Sequence, residues 1–348
     1  MKNLLDYDIQ QLKTTLQELG VPIFRATQLY QGIIRGKNID EINTLPKNLK
    51  ELLLNKFVAQ PLEVKTVKES ADGAKKIAFR LADGNIIESV IMPYKYGHSL
   101  CVSTQVGCNM KCVFCASGEF GKVRDLTAGE ILAQVVLANS YLGGALDKER
   151  MIKKIVLMGS GEPLENYDEV IRFLYLVGVE YGLNIGSRNI SLSTCGIPMG
   201  IRKLADSGEN VTLGLSLHAS TDKKRIQIMP IAKKYKLNDV ISACRYYFEK
   251  TGRRIIIEYV VIKNFNDTMQ DVMELRALLK GLNCHVNLIR LNRVENSPSI
   301  LKAPTKKDMY SFQALLEANG ISATVRRSLG NDIEGACGQL RKKMIDSK

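Results

Sequence analysis

Residues 6–19 place their apolar side chains at helical spacing and run into Gly20, which predicts a first amphipathic helix. Residues 24–34 repeat that pattern and stop near Gly36, and residues 45–57 give a third helix with Pro46 near its start. The period then shortens to that of strands. Residues 76–81 and 86–92 are two strand-like runs joined by Ala-Asp-Gly-Asn, a hairpin signal. From Ser99 onward short apolar runs alternate with helical stretches. Strands are expected at 99–103, 154–158, 189–193, 211–217, 255–261 and 286–291, with helices such as 128–141 and 167–181 between them. Strand–helix alternation makes a parallel sheet, and six such units predict an α/β fold, an open (β/α)6 partial barrel with its site at the strand C-termini. The organisation expected is a helical accessory domain over 1–60, a β-hairpin connector over 61–95, the barrel over 96–330 and a C-terminal loop over 331–348.

Composition narrows the class. Hydrophobic residues make up 45% of the 348, enough for a core of this size, and there is neither an export-signal pattern nor a run of about 18 apolar residues to span a membrane. Eight cysteines, partly clustered, in such a chain point to a reducing, cytoplasmic setting with no membrane partner. The formal charge of +13 implies an anionic partner. Its excess is concentrated at Lys223, Lys224, Arg225, Lys233, Lys234 and Lys236, at Arg253 and Arg254, and at Arg326, Arg327, Arg341, Lys342 and Lys343. Basic clusters spread over a folded domain favour nucleic acid through phosphate neutralisation.

The chemistry is carried by Cys108-Asn-Met-Lys-Cys112-Val-Phe-Cys115. Three thiolates this close can each hold one iron of a cubic four-iron cluster, and no fourth cysteine follows nearby. Electron-transfer clusters close all four positions with cysteine. Zinc asks for four closed ligands, and no second pair exists here. The CxxxCxxC spacing resembles the signature of the radical S-adenosylmethionine (SAM) superfamily. That resemblance implies one 4Fe-4S cluster whose free iron chelates SAM and whose reduction cleaves it to a 5′-deoxyadenosyl radical.

Other motifs fall at the ends of expected strands. Met158-Gly159-Ser160-Gly161-Glu162-Pro163 resembles the glycine-rich segment that binds the SAM amino group, with Glu162 as a carboxylate for the ammonium. Ser193 ends the third strand and Ser216-Leu217-His218 the fourth, where hydroxyl and imidazole groups can bond the carboxylate and ribose of SAM. Asn292 follows the sixth and either reads the adenine or caps a loop.

Together, Cys101 to Gly118, Gly161-Glu162-Pro163-Leu164, Ser216-Leu217-His218, Leu288-Ile289-Arg290, Phe24-Arg25-Ala26-Thr27-Gln28 and the tail from Arg326 to Leu340 resemble bacterial adenine-C2 RNA methyltransferases over nearly the whole chain. Ser160 departs from the pattern, since many members carry Met there. The resemblance implies methylation at C2 of adenosine 2503 in 23S rRNA, before ribosome assembly, and of adenosine 37 in tRNAs. It implies two SAM per turnover, a flavodoxin- or ferredoxin-type electron donor and a monomer. It also implies that Cys337 accepts a methyl group as S-methylcysteine and carries it to C2, and that Cys101 then attacks the Cys337 sulfur, leaving a transient disulfide. The C2 proton goes to Glu88 or to Cys101. Cys195, Cys244 and Cys284, embedded in apolar segments, read as packing residues. Competing functions are C8 methylation of the same adenosine and a cluster-containing RNA-binding or electron-transfer protein. Members of the C8 group tend to carry Ala at the position of Pro163 and to lack the Arg326-Arg327 pair.

Overall fold

In the structure, a computed structural model describing residues 1–145, 149–292 and 301–340, the N-terminal pattern folds as α1 (Ile9–Glu18), α2 (Phe24–Ile34) and α3 (Lys47–Leu54). Asp8 caps α1 by accepting the N–H groups of Gln10 and Gln11, and Gln11 returns a bond to the Asp8 N–H. Such a cap stabilises a helix by about 1 kcal/mol. The module's two ends are fastened by β1 (Lys2–Asn3), which pairs with β2 (Phe57–Val58), so the third helix stops short of the residue 57 its periodicity suggested.

The rest is built on one ten-stranded sheet. The strands β3 (Leu62–Glu69), β4 (Lys75–Leu81) and β5 (Ile86–Tyr94) form an antiparallel flank, and β5 pairs antiparallel with β6 (Gly97–Cys101). The predicted hairpin therefore does not stand apart as a connector; it extends the barrel sheet and sets Val90 opposite Cys101. After β6, the short antiparallel pair β7 (Gln105–Gly107) and β8 (Lys122–Asp125) brackets the cysteine loop. The chain then alternates through α4 (Ala128–Tyr141), β9 (Ile152–Leu157), α5 (Tyr167–Gly178), β10 (Ile190–Thr194), α6 (Pro198–Asp206) and β11 (Thr212–Ser216). It continues through α7 (Asp222–Ile228), α8 (Leu237–Thr251), β12 (Ile255–Val261), α9 (Met269–Leu279), β13 (Cys284–Arg290), α10 (Lys306–Ala318) and β14 (Ala323–Val325). Pairing from β6 through β9 to β14 is parallel throughout, in chain order. All six expected barrel strands are present. The seventh, β14, has only three residues and gave no readable period.

One hydrophobic core runs from Leu4 in the helical module to Ala323 in the last strand. α4 is buried nearly all round because the sheet packs on one side and the N-terminal module on the other. Gly129 permits that close approach: a β-carbon there would meet the Asp6 nitrogen at 2.8 Å, and its N–H donates to Asp6 Oδ1. Among the described residues no helix is long and apolar enough to cross a membrane.

Candidate active site

The C-terminal ends of the parallel strands open into a concave, largely apolar cavity of the kind that holds small molecules. Cys108, Cys112 and Cys115 line one side of it. Their loop is held from three directions. Val113 N–H donates to Ile228 O at the end of α7, Ala116 N–H to Gly338 O at 2.7 Å, and Asn109 Oδ1 accepts the Lys122 N–H. Lys111 takes a left-handed φ of 52° inside the tight turn, against which Gly118 packs too closely for any β-carbon.

Burial pushes all three thiols up, Cys108 to about 12, so each is protonated at neutral pH until an acceptor takes its proton. Among the described residues no three His, Cys, Asp or Glu side chains converge on one point as a single-ion site requires. Three desolvated thiols around a roomy cavity suit a cluster, where each sulfur meets its own iron, better than a lone zinc ion.

Opposite the thiols lies Glu162, buried, its carboxylate accepting the N–H groups of Cys195 at 2.7 Å and Leu164 at 3.1 Å. Desolvation raises its pKa against those bonds. The side chains of Thr194 and Cys195 also bond this carboxylate. The glycines beside it serve packing first. A β-carbon at Gly159 would meet Val102 O at 2.6 Å, and one at Gly161, with φ of 110°, would meet Gln105 Cβ at 2.6 Å. Gln105 itself ties the loops together, accepting the Glu162 N–H and donating to Asp125 and Glu165. Ser160 faces Ser117 of the cysteine loop and does not line the cavity.

Ser193, Ser216, His218 and Asn292 line the cavity. Burial and the nearby Arg225 hold His218 down to about 3, so it stays neutral. Its Nδ1 accepts the Val260 N–H at 3.0 Å, which leaves the ring proton on Nε2 as a donor. Pro163 and Leu217 do not line it. The strand's alternation turns Leu217 into the core behind Ser216, and Pro163 sits in the buried turn behind Glu162.

Cys337 bridges this cavity and a neighbouring one lined by Cys101, Met158 and Arg326. It keeps solvent access while its loop is docked: Asn292 Nδ2 donates to Cys337 O at 3.2 Å and the Gly338 carbonyl holds the cysteine loop. Cys101 and Cys337 are both free thiols, close enough that Cys337 disfavours ionisation of Cys101. Burial dominates, taking Cys101 to about 12, while Arg326 pulls both thiols the other way. Arg326 in turn lies 3.8 Å from Glu258, a buried carboxylate on β12 that Asn287 also bonds. Glu258 is absent from the sequence-derived site, although a lone carboxylate inside the apolar run Ile255–Val261 is a signal the sequence contains. Glu88 itself lines neither cavity; it is buried in an ion pair with Lys76 at 3.1 Å.

Two readings of single residues change. Cys195 lines the cavity beside Glu162 and Cys112, unlike the packing residue Cys244. Arg225 and Arg326, counted with the basic surface, point inward. Lys223, Lys233, Lys234 and Lys236 are exposed on the segment that follows the C-terminal end of β11, hence around the mouth. Arg253 and Arg254 precede β12 and so sit at the far end of the barrel, while Arg341, Lys342 and Lys343 lie outside the described residues.

Residues 102–276 match the model of the Radical SAM superfamily. The whole chain is 50% identical to a probable dual-specificity RNA methyltransferase RlmN of Clostridium perfringens (strain 13), covering 100% of this chain and 99% of that protein. It is 47% identical to the protein of the same name in Clostridium beijerinckii, covering 100% and 97%. The crystal structure of a radical SAM methyltransferase from Sphaerobacter thermophilus superposes with a TM-score of 0.92 at 40% identity, over 98% of this chain and 99% of that one.

Proposed function

The chain belongs to the RlmN family of radical SAM dual-specificity RNA methyltransferases, and from that premise we propose that it methylates C2 of adenosine 2503 in 23S rRNA and of adenosine 37 in tRNAs. The observation that carries the reading is the pair of free thiols, Cys101 and Cys337, at the junction of a cavity ringed by three further cysteines. A pure electron-transfer protein has no use for a free loop thiol beside an open ligand cavity. C2 of adenine is electron-poor and does not displace the SAM methyl group by itself, so a carrier on the protein is chemically required.

In this reading Cys108, Cys112 and Cys115 hold a 4Fe-4S cluster, and Glu162, Ser193, Ser216, His218 and Asn292 hold SAM. When bound, the cluster supplies the electron that cleaves SAM reductively. Glu162 orients the amino group; Ser193, Ser216 and the Nε2–H of His218 bond the polar oxygens of the ligand. Cys337 Sγ would take up the methyl group, give one of its hydrogens to the adenosyl radical of a second SAM and bond the resulting carbon radical to C2 of the RNA base, the C2 proton and one electron then leaving. Arg326, held by Glu258, favours the thiolate at both Cys337 and Cys101. Cys101 Sγ then attacks Cys337 Sγ, freeing the methylated base and leaving a disulfide for a cellular thiol to reduce. The C2 proton leaves to Cys101, or to Glu88 if the Lys76 ion pair opens. The setting is cytoplasmic, with a flavodoxin- or ferredoxin-type donor, and the protein acts as a monomer on rRNA not yet assembled.

The test is mass spectrometry of nucleosides from a strain deleted for its own enzyme and complemented with this chain. We expect 2-methyladenosine to return in both 23S rRNA and tRNA; 8-methyladenosine would assign the sister activity instead.

The exposed lysines around the mouth make a second expectation. Affinity for protein-free rRNA fragments should fall with salt at a log–log slope near −0.9 per duplex phosphate contacted, as in ~−0.9Z counterion release. Reversing the charge of Lys233 and Lys234 together should flatten that slope by about 2, one unit for each phosphate left without its lysine. A slope unchanged by the double reversal in a filter-binding salt series would remove this rim from the RNA footprint.

A further inference from the structure

Arg225 is the largest fully buried side chain of the protein. It reaches from α7 under the ends of β10 and β11, where Nε donates to Leu217 O at 3.1 Å and Nη2 donates to Ser216 O at 3.0 Å and to Cys195 O. Those bonds spend Nε and Nη2. Nη1 is buried with no partner at all. A buried guanidinium that leaves donors unspent is costly, and a buried cation without an anion more so. Among the described residues no carboxylate forms an ion pair with it, and a thiolate at Cys195 or Cys112 would favour its charge more than Asp222 does. The loop of Cys112 is tied to the same helix by the Val113 to Ile228 hydrogen bond. A metal-bound thiolate at Cys112 would thus lie within electrostatic reach of the guanidinium that carries the unspent donor.

We propose that Arg225 is a positioning residue for the iron–sulfur centre, its Nη1 donating to the Cys112 side of the bound cluster and favouring the reduced state. The inference rests on the assignment of Cys108, Cys112 and Cys115 as cluster ligands. A dicationic four-iron core held by three thiolates carries one net negative charge, and uptake of one electron from the donor makes it two. A fixed cation beside it stabilises the more negative form, and hydrogen bonds to cluster sulfur act in the same direction. Neither effect involves a proton leaving Arg225.

The experiment is a redox titration followed by electron paramagnetic resonance on anaerobically reconstituted full-length protein, using Arg225→Gln and Arg225→Lys beside the wild type. Neutralising the side chain should lower the ratio of reduced to oxidised cluster about tenfold at a fixed potential, a midpoint shift of ~59 mV for one electron, and lysine should recover most of it. In wild-type protein carrying guanidino-15N arginine, pulsed measurement on the reduced cluster should detect a nitrogen coupling that the Arg225→Lys protein lacks. A fully loaded Arg225→Gln protein with the wild-type midpoint would overturn the proposal. So would a wild-type spectrum without the arginine coupling, which decides the matter even if Arg225→Gln does not fold. A wild-type protein that takes up no four-iron cluster would instead overturn the cluster assignment beneath it.

Discussion

Replacing Cys112 by alanine is expected to abolish both iron uptake and reductive cleavage of SAM, while Cys195→Ala should leave both in place. The two residues make a demanding comparison. Cys195 is buried and Cys112 half-buried, both line the cavity, and each lies within electrostatic reach of the other and of Arg225. They differ in what their loops provide. Cys112 sits on a turn pinned by the Cys115 N–H to Cys112 O bond and by the contact to Ile228, so its thiol is held with Cys108 and Cys115 around one space. Cys195 ends β10, and its backbone is engaged at both ends, its N–H by Glu162 and its carbonyl by Arg225. A three-thiolate cluster needs one iron left open for SAM, so loss of any of the three should destroy it, whereas a fourth thiol would close it. Iron and sulfide content with 5′-deoxyadenosine release under strong reductant reads both outcomes. If Cys195→Ala also lost its cluster, the centre would have four cysteine ligands and no place for SAM.

Much of the barrel was legible because its strands are apolar runs bounded by helices of full period, and α2 and α4 fall on their predicted residues. β14 escaped because three residues carry no period, and the hairpin's place in the sheet depends on pairing that one strand's sequence does not encode. At the site, spacing exposed what is close in sequence: the cysteine loop, the Gly-Glu-Pro turn and the Ser-Leu-His end of β11. Groups that converge from distant elements stayed hidden. Glu258 and Arg326 meet across 68 residues of chain, and only the folded sheet brings them beside Cys337. Arg225 was hidden by its neighbours Lys223 and Lys224, yet it shares the buried face of α7 with Ile228 at helical spacing, a signal that periodicity does contain. The motif singles out Gly159 and Gly161 for approach to a ligand, and the contacts that exclude a β-carbon there are to the backbone and side chains of residues 102–105.

The division of labour between Cys337 and Cys101 is the central claim, and its two substitutions have opposite signatures. On the proposed mechanism Cys337 carries the methyl group, so Cys337→Ala should form neither S-methylcysteine nor any RNA adduct. Cys101 acts only once carbon joins Cys337 to the base, so Cys101→Ala still becomes methylated at Cys337 and then stalls with RNA attached. Turnover falls to background in both proteins, and only the second accumulates a covalent intermediate. Cys101 lies on a sheet strand between β5 and β9, and alanine fits there without disturbing the pairing of Val90 or Val156. A structural role for Cys101 would show as lost iron or a lowered melting temperature, with no trapped RNA. The direct measurement is denaturing gel electrophoresis and peptide mass spectrometry of Cys101→Ala purified from cells. The account predicts an adenosine linked through a one-carbon bridge to Cys337; full turnover with no crosslink would contradict it.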